Sequence, residues 1–193
     1  MKLRKRLVLL TALMAALLLS VRTNFARATP SSGEAEVRSA VEKAFAQLKA
    51  GDYGALYEIL PARSKARISR ARFTKALENT RNMYELDRLE IGSIRVSGNI
   101  ATVDTEMFGR IKRPIESEGK IVAQQYLVRE DGLWRVATGD RATIQSFLAT
   151  NPSFARKFPV RQPRVFIKRD GRWIDVSSLR DAARAPHNNG IHN

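Results

Sequence analysis

The fold is decided by one stretch of the sequence, KIVAQQYLVREDGLWRV, which covers residues 120–136. It contains two β-strand patterns separated by Asp131-Gly132. This dipeptide is favoured in a two-residue hairpin turn because both central positions need a positive φ. The same phrase returns as RVFIKRDGRWIDV at residues 164–176, again with Asp-Gly, one spacer residue and a tryptophan. Because the residues between the two copies find no partner earlier in the chain, we interpret them as one hairpin type used twice, not as a tandem repeat.

The sequence ahead of this hairpin predicts two more strands. From Leu86 the apolar residues alternate with a period of two, and LEIGSIRV and NIATVDTEMF are typical strand patterns. Ser97-Gly98-Asn99 separates them, as a hairpin turn requires. A longer connection is expected between Gly109 and Gly119, because this segment contains Pro114.

Three helices are predicted before the strands, where apolar residues recur at helical spacing. Their expected N-terminal caps are Ser31, Asp52 and Ser69. The first helix ends at Gly51, and a further helical pattern follows Asp140. This order predicts an α+β fold in which N-terminal helices pack on a curved antiparallel sheet, with an added C-terminal helix and β-hairpin.

The first 28 residues predict an export signal. Four basic residues precede an apolar run at residues 7–21, and Ala26-Arg27-Ala28 places small residues before a cleavage site. The run is shorter than the roughly 20 residues that a membrane-spanning helix needs. An uncleaved N-terminal membrane anchor is the alternative. In both cases the body is expected to be extracytoplasmic, periplasmic or secreted, because a basic N-terminus favours the cytoplasmic side.

The chain is therefore divided into five segments. They are a signal peptide or anchor (1–28), a linker (29–33), the main α+β domain (34–140), an added helix and hairpin packed on it (141–179) and a disordered polar tail (180–193).

Composition limits the chemistry of the exported body. The chain has no Cys, and its two His residues, His187 and His192, lie in the polar tail. A disulfide framework, a Cys nucleophile and a metal site built from His and Cys are therefore excluded from the body. We expect neither a cofactor nor a metal.

The order of elements resembles the nuclear transport factor 2-like superfamily, also called the cystatin-like α+β cone. The resemblance rests on AVEKAFAQLKAGDYGALYEIL, ISRARFTKALE and QQYLVREDGLWRV and covers roughly residues 35–140. It implies that a long first helix lies across the open face of a bent antiparallel sheet. The superfamily includes isomerases, dehydratases, transport adaptors and extracytoplasmic modules without chemistry, so the fold alone does not give the function. Its isomerases place a Tyr on the first helix, where this chain offers Phe45, and this departure counts against an isomerase.

Carboxylates are the remaining candidate general bases. Asp104 and Glu106 are two residues apart and share one face of their strand, and Asp87 is a further candidate. Burial in the cone would raise the pKa values of such carboxyls and suit them to base catalysis. However, Ala101, Val103 and Met107 occupy the other face of the strand, which is the more natural inward one, so a solvated outer face is the competing interpretation.

Aromatic and amide side chains form the candidate pocket lining. The residues are Tyr53, Tyr57, Tyr84, Gln125, Tyr126 and Trp134. They would give a pocket of mixed apolar and hydrogen-bonding character. The alternative is that the aromatic rings simply fill the interior.

The chain is basic, with a formal net charge of +15, and one cluster of cations lies on the predicted third helix and just before it. The candidate polyanion-binding residues are Arg63, Arg67, Arg70, Arg72 and Lys75. Anionic lipid or a cell-wall polymer would be the partner of such a surface, whereas nucleic acid is disfavoured for an exported chain. The alternative is a solvated face that keeps the protein soluble.

The sequence therefore leaves three hypotheses for the function. The favoured hypothesis is an exported, non-enzymatic binding module of the cell envelope that takes a small apolar or amphipathic ligand or an envelope protein. The second is a small-molecule isomerase or lyase with a pocket carboxylate, and the third is a polyanion-binding protein. The sequence predicts no oligomeric state.

Overall fold

The computed structural model describes residues 31–113, 116–137 and 139–177. The predicted signal, residues 29–30 of the linker and the polar tail from residue 180 lie outside these ranges. None of the helices within them is long and apolar enough to span a membrane.

The predicted α+β fold is confirmed, with helices followed by an open, curved antiparallel sheet of six strands. The helices are α1 (Ser32–Ala50), α2 (Tyr53–Glu58), α3 (Ala62–Arg67), α4 (Arg70–Arg81), α5 (Arg141–Ala149) and α6 (Pro152–Lys157). The strands are β1 (Tyr84–Ser97), β2 (Ile100–Ile111), β3 (Ser117–Glu130), β4 (Leu133–Val136), β5 (Arg164–Arg169) and β6 (Arg172–Asp175).

The first three predicted caps are formed. The side chains of Ser31, Asp52 and Ser69 accept hydrogen bonds from the backbone N–H groups of Glu34, Ala55 and Arg72. The distances are 3.3, 2.9 and 3.4 Å. Gly51 follows α1 in the left-handed conformation, with φ of 76°. Because α1 begins at Ser32, the last two residues assigned to the linker belong to this helix.

Both Asp-Gly turns have the predicted backbone geometry. The φ angles are 51° and 76° at Asp131 and Gly132, and 50° and 74° at Asp170 and Gly171. Two successive positive φ values match the right-handed twist of the strands on either side. Each turn therefore joins a tight antiparallel pair, β3–β4 and β5–β6.

The long strand β3 organises the sheet. Along one edge, Ser117–Val128 of β3 pair with the whole of β2. Along the other edge its first residues pair with β5 (Gly119–Val122) and its last residues with β4 (Leu127–Glu130). The added hairpin therefore extends the main sheet. At the opposite edge of the sheet, the strand β1 is bent. Its pairing with β2 is irregular between Leu86 and Arg88 and again between Ile91 and Ile94.

Helices cover both faces of the sheet. We call the face beneath α1 the inner face; there Val37 and Val41 pack with Ala101, Val103 and Trp134. We call the opposite face the outer face. On it, Ile144 and Leu148 of α5 and Phe154 of α6 pack against Ile100 and Tyr126.

The sequence patterns missed α3. Its sequence, ARSKAR, carries no apolar stripe, and its first turn is capped from a distance by the Glu130 carboxylate, which accepts from the Ala62 N–H over 2.9 Å. Ser64 is buried and donates to Thr143 of α5 over 3.3 Å. Long-range contacts stabilise this helix, and local patterns do not record them.

The connection between β2 and β3 is shorter than predicted. Pairing continues to Ile111 on β2 and starts at Ser117 on β3. Gly109 and Gly119, taken as the ends of a loop, therefore lie within strands.

Candidate functional site

The inner face carries an open groove of about 510 Å³ beside the C-terminal end of α1. Met107, Ile121 and Val165 lie directly opposite one another on β2, β3 and β5 and form an apolar row across its floor. Leu48 of α1 and Leu86 of β1 add to the lining. Small-molecule sites commonly have volumes of about 300–1,000 Å³ and mostly apolar walls, so the groove has the size and chemistry of a ligand site.

A pair of glycines keeps part of this floor free of side chains. Gly109 lies directly opposite Gly119, next to the apolar row. A Cβ atom at Gly109 would lie 2.3 Å from the Glu85 carbonyl oxygen, which is backbone and cannot turn away. A Cβ atom at Gly119 would lie 2.9 Å from Cδ1 of Ile111. The groove therefore depends on two residues that sequence reasoning took for loop ends.

Polar groups gather at the mouth of the groove. Tyr84 lines it, and its hydroxyl lies 3.4 Å from that of Thr80 at the end of α4. Arg113, just after β2, also lines the groove and is exposed. Within the described part of the chain, no carboxylate lies within 4.0 Å of the Arg113 guanidinium.

Of the six residues predicted to line a pocket, only Tyr84 borders this groove. Tyr53 lies in an adjoining recess of about 320 Å³, which Leu48 and Tyr84 also line. Burial raises the pKa of the Tyr53 hydroxyl, and the nearby Tyr84 acts in the same direction. Tyr57 instead packs against Phe73 of α4, with ring centroids 5.7 Å apart.

The other three predicted residues belong to the packed interior. Gln125 and Tyr126 follow each other on β3 and therefore point to opposite faces. The Gln125 amide donates to the Thr105 hydroxyl over 3.0 Å, and the Tyr126 hydroxyl donates to the Phe158 carbonyl over 3.1 Å. Trp134 is 7% exposed and belongs to the inner core. The structure does not bring the six predicted side chains into one pocket, because Tyr57 packs against Phe73 and because Gln125 and Tyr126 point to opposite faces of the sheet.

The candidate general bases lie outside the inner core. Asp104 is on the outer face, where the Arg95 guanidinium binds it at 2.9 Å and Arg161 contacts its other oxygen. Glu106 accepts from Lys120 over 2.9 Å. The side chain of Asp87 is 70% exposed and lies 3.6 Å from Arg88. Each candidate carboxylate thus has a cation beside it, and none of the three side chains is buried.

The predicted polyanion-binding residues are partly neutralised. Arg67 lies 3.7 Å from Asp140, and Arg70 lies 3.6 Å from Glu58. Arg63, Arg72 and Lys75 are exposed, and no carboxylate of the described ranges lies within ion-pair distance of them. The unpaired part of this surface is therefore smaller than the sequence indicated.

Asp140 has a structural role between two helices. Its carboxylate caps α5 by accepting from the Thr143 N–H over 3.1 Å and from the Thr143 hydroxyl over 2.6 Å. Burial acts to raise the pKa of Asp140, but hydrogen bonds from Thr143 and Ser64 outweigh it and hold this pKa below its usual value. This network connects α3 to α5.

No group of three or more acidic or His side chains within the described ranges is placed to hold a metal ion. No family model matches the chain, and no curated protein matches it. Among solved structures, the chain is similar to the solution structure of a SEC-C motif containing protein from Rhodopseudomonas palustris. The identity is 12%, the TM-score is 0.40, and the alignment covers 48% of this chain and 68% of the other.

Proposed function

We propose that this chain is an extracytoplasmic, non-enzymatic binding module that takes a small apolar or amphipathic ligand in the inner-face groove. The observation that carries the proposal is the apolar row of Met107, Ile121 and Val165, which is left open beside α1. Apolar surface of this kind binds a ligand because its removal from water is favourable, by about 25 cal/mol per Å².

The charges favour binding over catalysis. A general base needs a carboxyl whose pKa is matched to its task, and burial without a cation usually provides this. Asp104 and Glu106 lie on the outer face in ion pairs, and neither of them lines the groove. The groove walls contribute shape and apolar contact, which are properties of a carrier or adaptor.

The helix order ahead of a curved antiparallel sheet supports a place among the binding members of the nuclear transport factor 2-like superfamily, which we include in the proposal. The basic and apolar pattern of residues 1–28 supports export of the body. The partner is then a ligand of the cell envelope.

The proposal is tested by titrating the protein with a neutral fluorescent amphiphile, N-phenyl-naphthylamine. Met107→Gln and Val165→Thr keep the side-chain volume nearly unchanged but remove apolar contact. Each is expected to weaken binding by about tenfold, which corresponds to ~1.4 kcal/mol. Leu133→Gln is the matched control, since Leu133 is 58% exposed and lies outside the groove. The proposal fails if the parent does not bind the probe, or if the control weakens binding as much as the groove variants do.

A further inference from the structure

We infer that the ligand of the groove is a soluble single-chain amphiphile with a negatively charged head, such as a long-chain carboxylate, and that Arg113 binds the head. This inference rests on the proposed function, because it assigns the polar end of a ligand whose apolar end occupies the same groove. It is carried by the position and the pairing of the charged groups at the groove mouth.

The strand pairing separates the groove side chains from those of the outer face. Successive residues of a strand point to opposite faces, so Met107 and Ile111 share the inner face while Phe108 lies on the outer one. The Lys120 ammonium confirms this division, since it lies 5.7 Å from the Phe108 ring centroid and pairs with Glu106 on the outer face. Lys120 borders the groove, but its ammonium is held on the outer face by the Glu106 carboxylate.

Two other cations near the mouth, Lys112 and Arg110, are engaged by acids. Lys112 binds the Glu85 carboxylate at 3.0 Å, and a hydrogen bond from Lys112 lowers the pKa of Glu85. Arg110 lies 3.8 Å from Glu116. Arg113 is thus a groove-lining cation for which the described residues supply no carboxylate.

A guanidinium that has no carboxylate partner among the described residues, and that borders an apolar groove, selects one class of ligand. Its planar donors match a carboxylate or a phosphate in geometry, while the adjacent walls exclude a ligand that is polar throughout. An alkyl chain would lie along the row formed by Met107, Ile121 and Val165, and its anionic head would meet Arg113 at the mouth. A cationic amphiphile would be disfavoured at the same position.

The experiment compares three amphiphiles of one chain length as competitors of bound N-phenyl-naphthylamine, all below their micelle concentrations. They are dodecanoate, dodecanol and dodecyltrimethylammonium. In the parent, dodecanoate is expected to compete about fivefold better than dodecanol, a ratio typical of an exposed ion pair. The cationic amphiphile should compete least, and added salt should reduce the difference because it screens an exposed pair.

Arg113→Gln is expected to abolish the preference for dodecanoate and to leave dodecanol and probe binding unchanged. Arg156→Gln makes the same change of net charge on α6, which packs on the outer face away from the groove, and should keep the preference. Equal competition by all three amphiphiles in the parent would overturn the inference while the proposed function stands. An equal loss in both variants would also overturn it, because diffuse positive charge would then explain the preference. Absence of probe binding to the parent would be a failure of the proposed function itself.

Discussion

Gly109 and Gly119 lie directly opposite each other in the β2–β3 ladder, and neither site has room for an unadjusted Cβ atom. The reasons differ. The obstacle at Gly109 is a backbone carbonyl, whereas the obstacle at Gly119 is the flexible end of the Ile111 side chain. Gly109 is required because a side chain there would collide with the Glu85 backbone. Gly119 is required because a side chain there would push Ile111 into the open groove.

This difference predicts two distinct phenotypes. Gly109→Ala should destabilise the fold by about 1–3 kcal/mol, the usual cost of overpacking, because the Glu85 carbonyl can move only with its strand. Gly119→Ala should lower the free energy of unfolding by less, because the Ile111 side chain can change rotamer. In its new rotamer Ile111 should occupy part of the groove and weaken probe binding. Urea unfolding and probe titration of both variants measure the two effects. The explanation is contradicted if Gly119→Ala loses more stability than Gly109→Ala.

The two tryptophans should differ in their contribution to stability. Trp134 is 7% exposed within the inner core, so Trp134→Ala should cost about 3–5 kcal/mol. Trp173 is 37% exposed on β6 and contacts Phe108 edge to face at 6.1 Å, so Trp173→Ala should cost less and leave the main sheet folded. Urea unfolding of the two variants beside the parent decides this. An equal loss would mean that the β5–β6 hairpin contributes as much to the core as β4 does.

Stability should depend on the charge of Asp140 at acid pH. Because the folded-state pKa of Asp140 is lowered, its ionised form stabilises the fold above the unfolded-state value of about 3.9, and this contribution is lost as the pH falls through the folded-state pKa. Asp140→Ala should therefore lower the free energy of unfolding by about 0.5–2 kcal/mol at neutral pH, as for other N-terminal caps. The difference in stability between this variant and the parent should become smaller below about pH 4. Asp140→Asn is the matched variant, since an amide oxygen can still cap α5. A cost for Asp140→Ala that stays constant down to pH 2 would refute the role of the ionised carboxylate.

The outer-face ion pairs should be irrelevant to ligand binding. Asp104→Asn removes a charge that Arg95 and Arg161 hold on the side of the sheet opposite the groove. We expect probe affinity to change by less than twofold, with a loss of stability of about 0–1 kcal/mol, as for exposed ion pairs. A large loss of affinity with intact folding would instead connect Asp104 to the site and revive a role for this carboxylate.

The local parts of the fold could be predicted from the sequence because they depend on neighbouring residues. Asp-Gly specifies a positive φ at both turn positions, and Ser31, Asp52 and Ser69 cap helices within their own first turns. Alternation along β2 placed Ala101 and Val103 inward without knowledge of any partner strand. These signals are short-range, and the structure bears them out.

The groove could not be predicted, because it depends on register between strands that are distant in sequence. Nothing local shows that Met107, Ile121 and Val165 share a row, or that Gly109 faces Gly119. The predicted pocket failed for the same reason, since residue type alone selected Gln125 together with Tyr126 although neighbours on a strand face opposite ways. Strand alternation applied to β3 could have separated those two residues.

The most direct test of the central claim is a methyl-labelled NMR titration with N-phenyl-naphthylamine. We predict that the methyl signals of Leu48, Met107, Ile121 and Val165 shift along one saturating curve, because these side chains line one groove. Those of Ile144 and Leu148, which pack on the outer face, should remain in place. Shifts centred on Ile144 and Leu148, or the absence of saturable shifts around the groove, would contradict the assignment of this groove as the binding site.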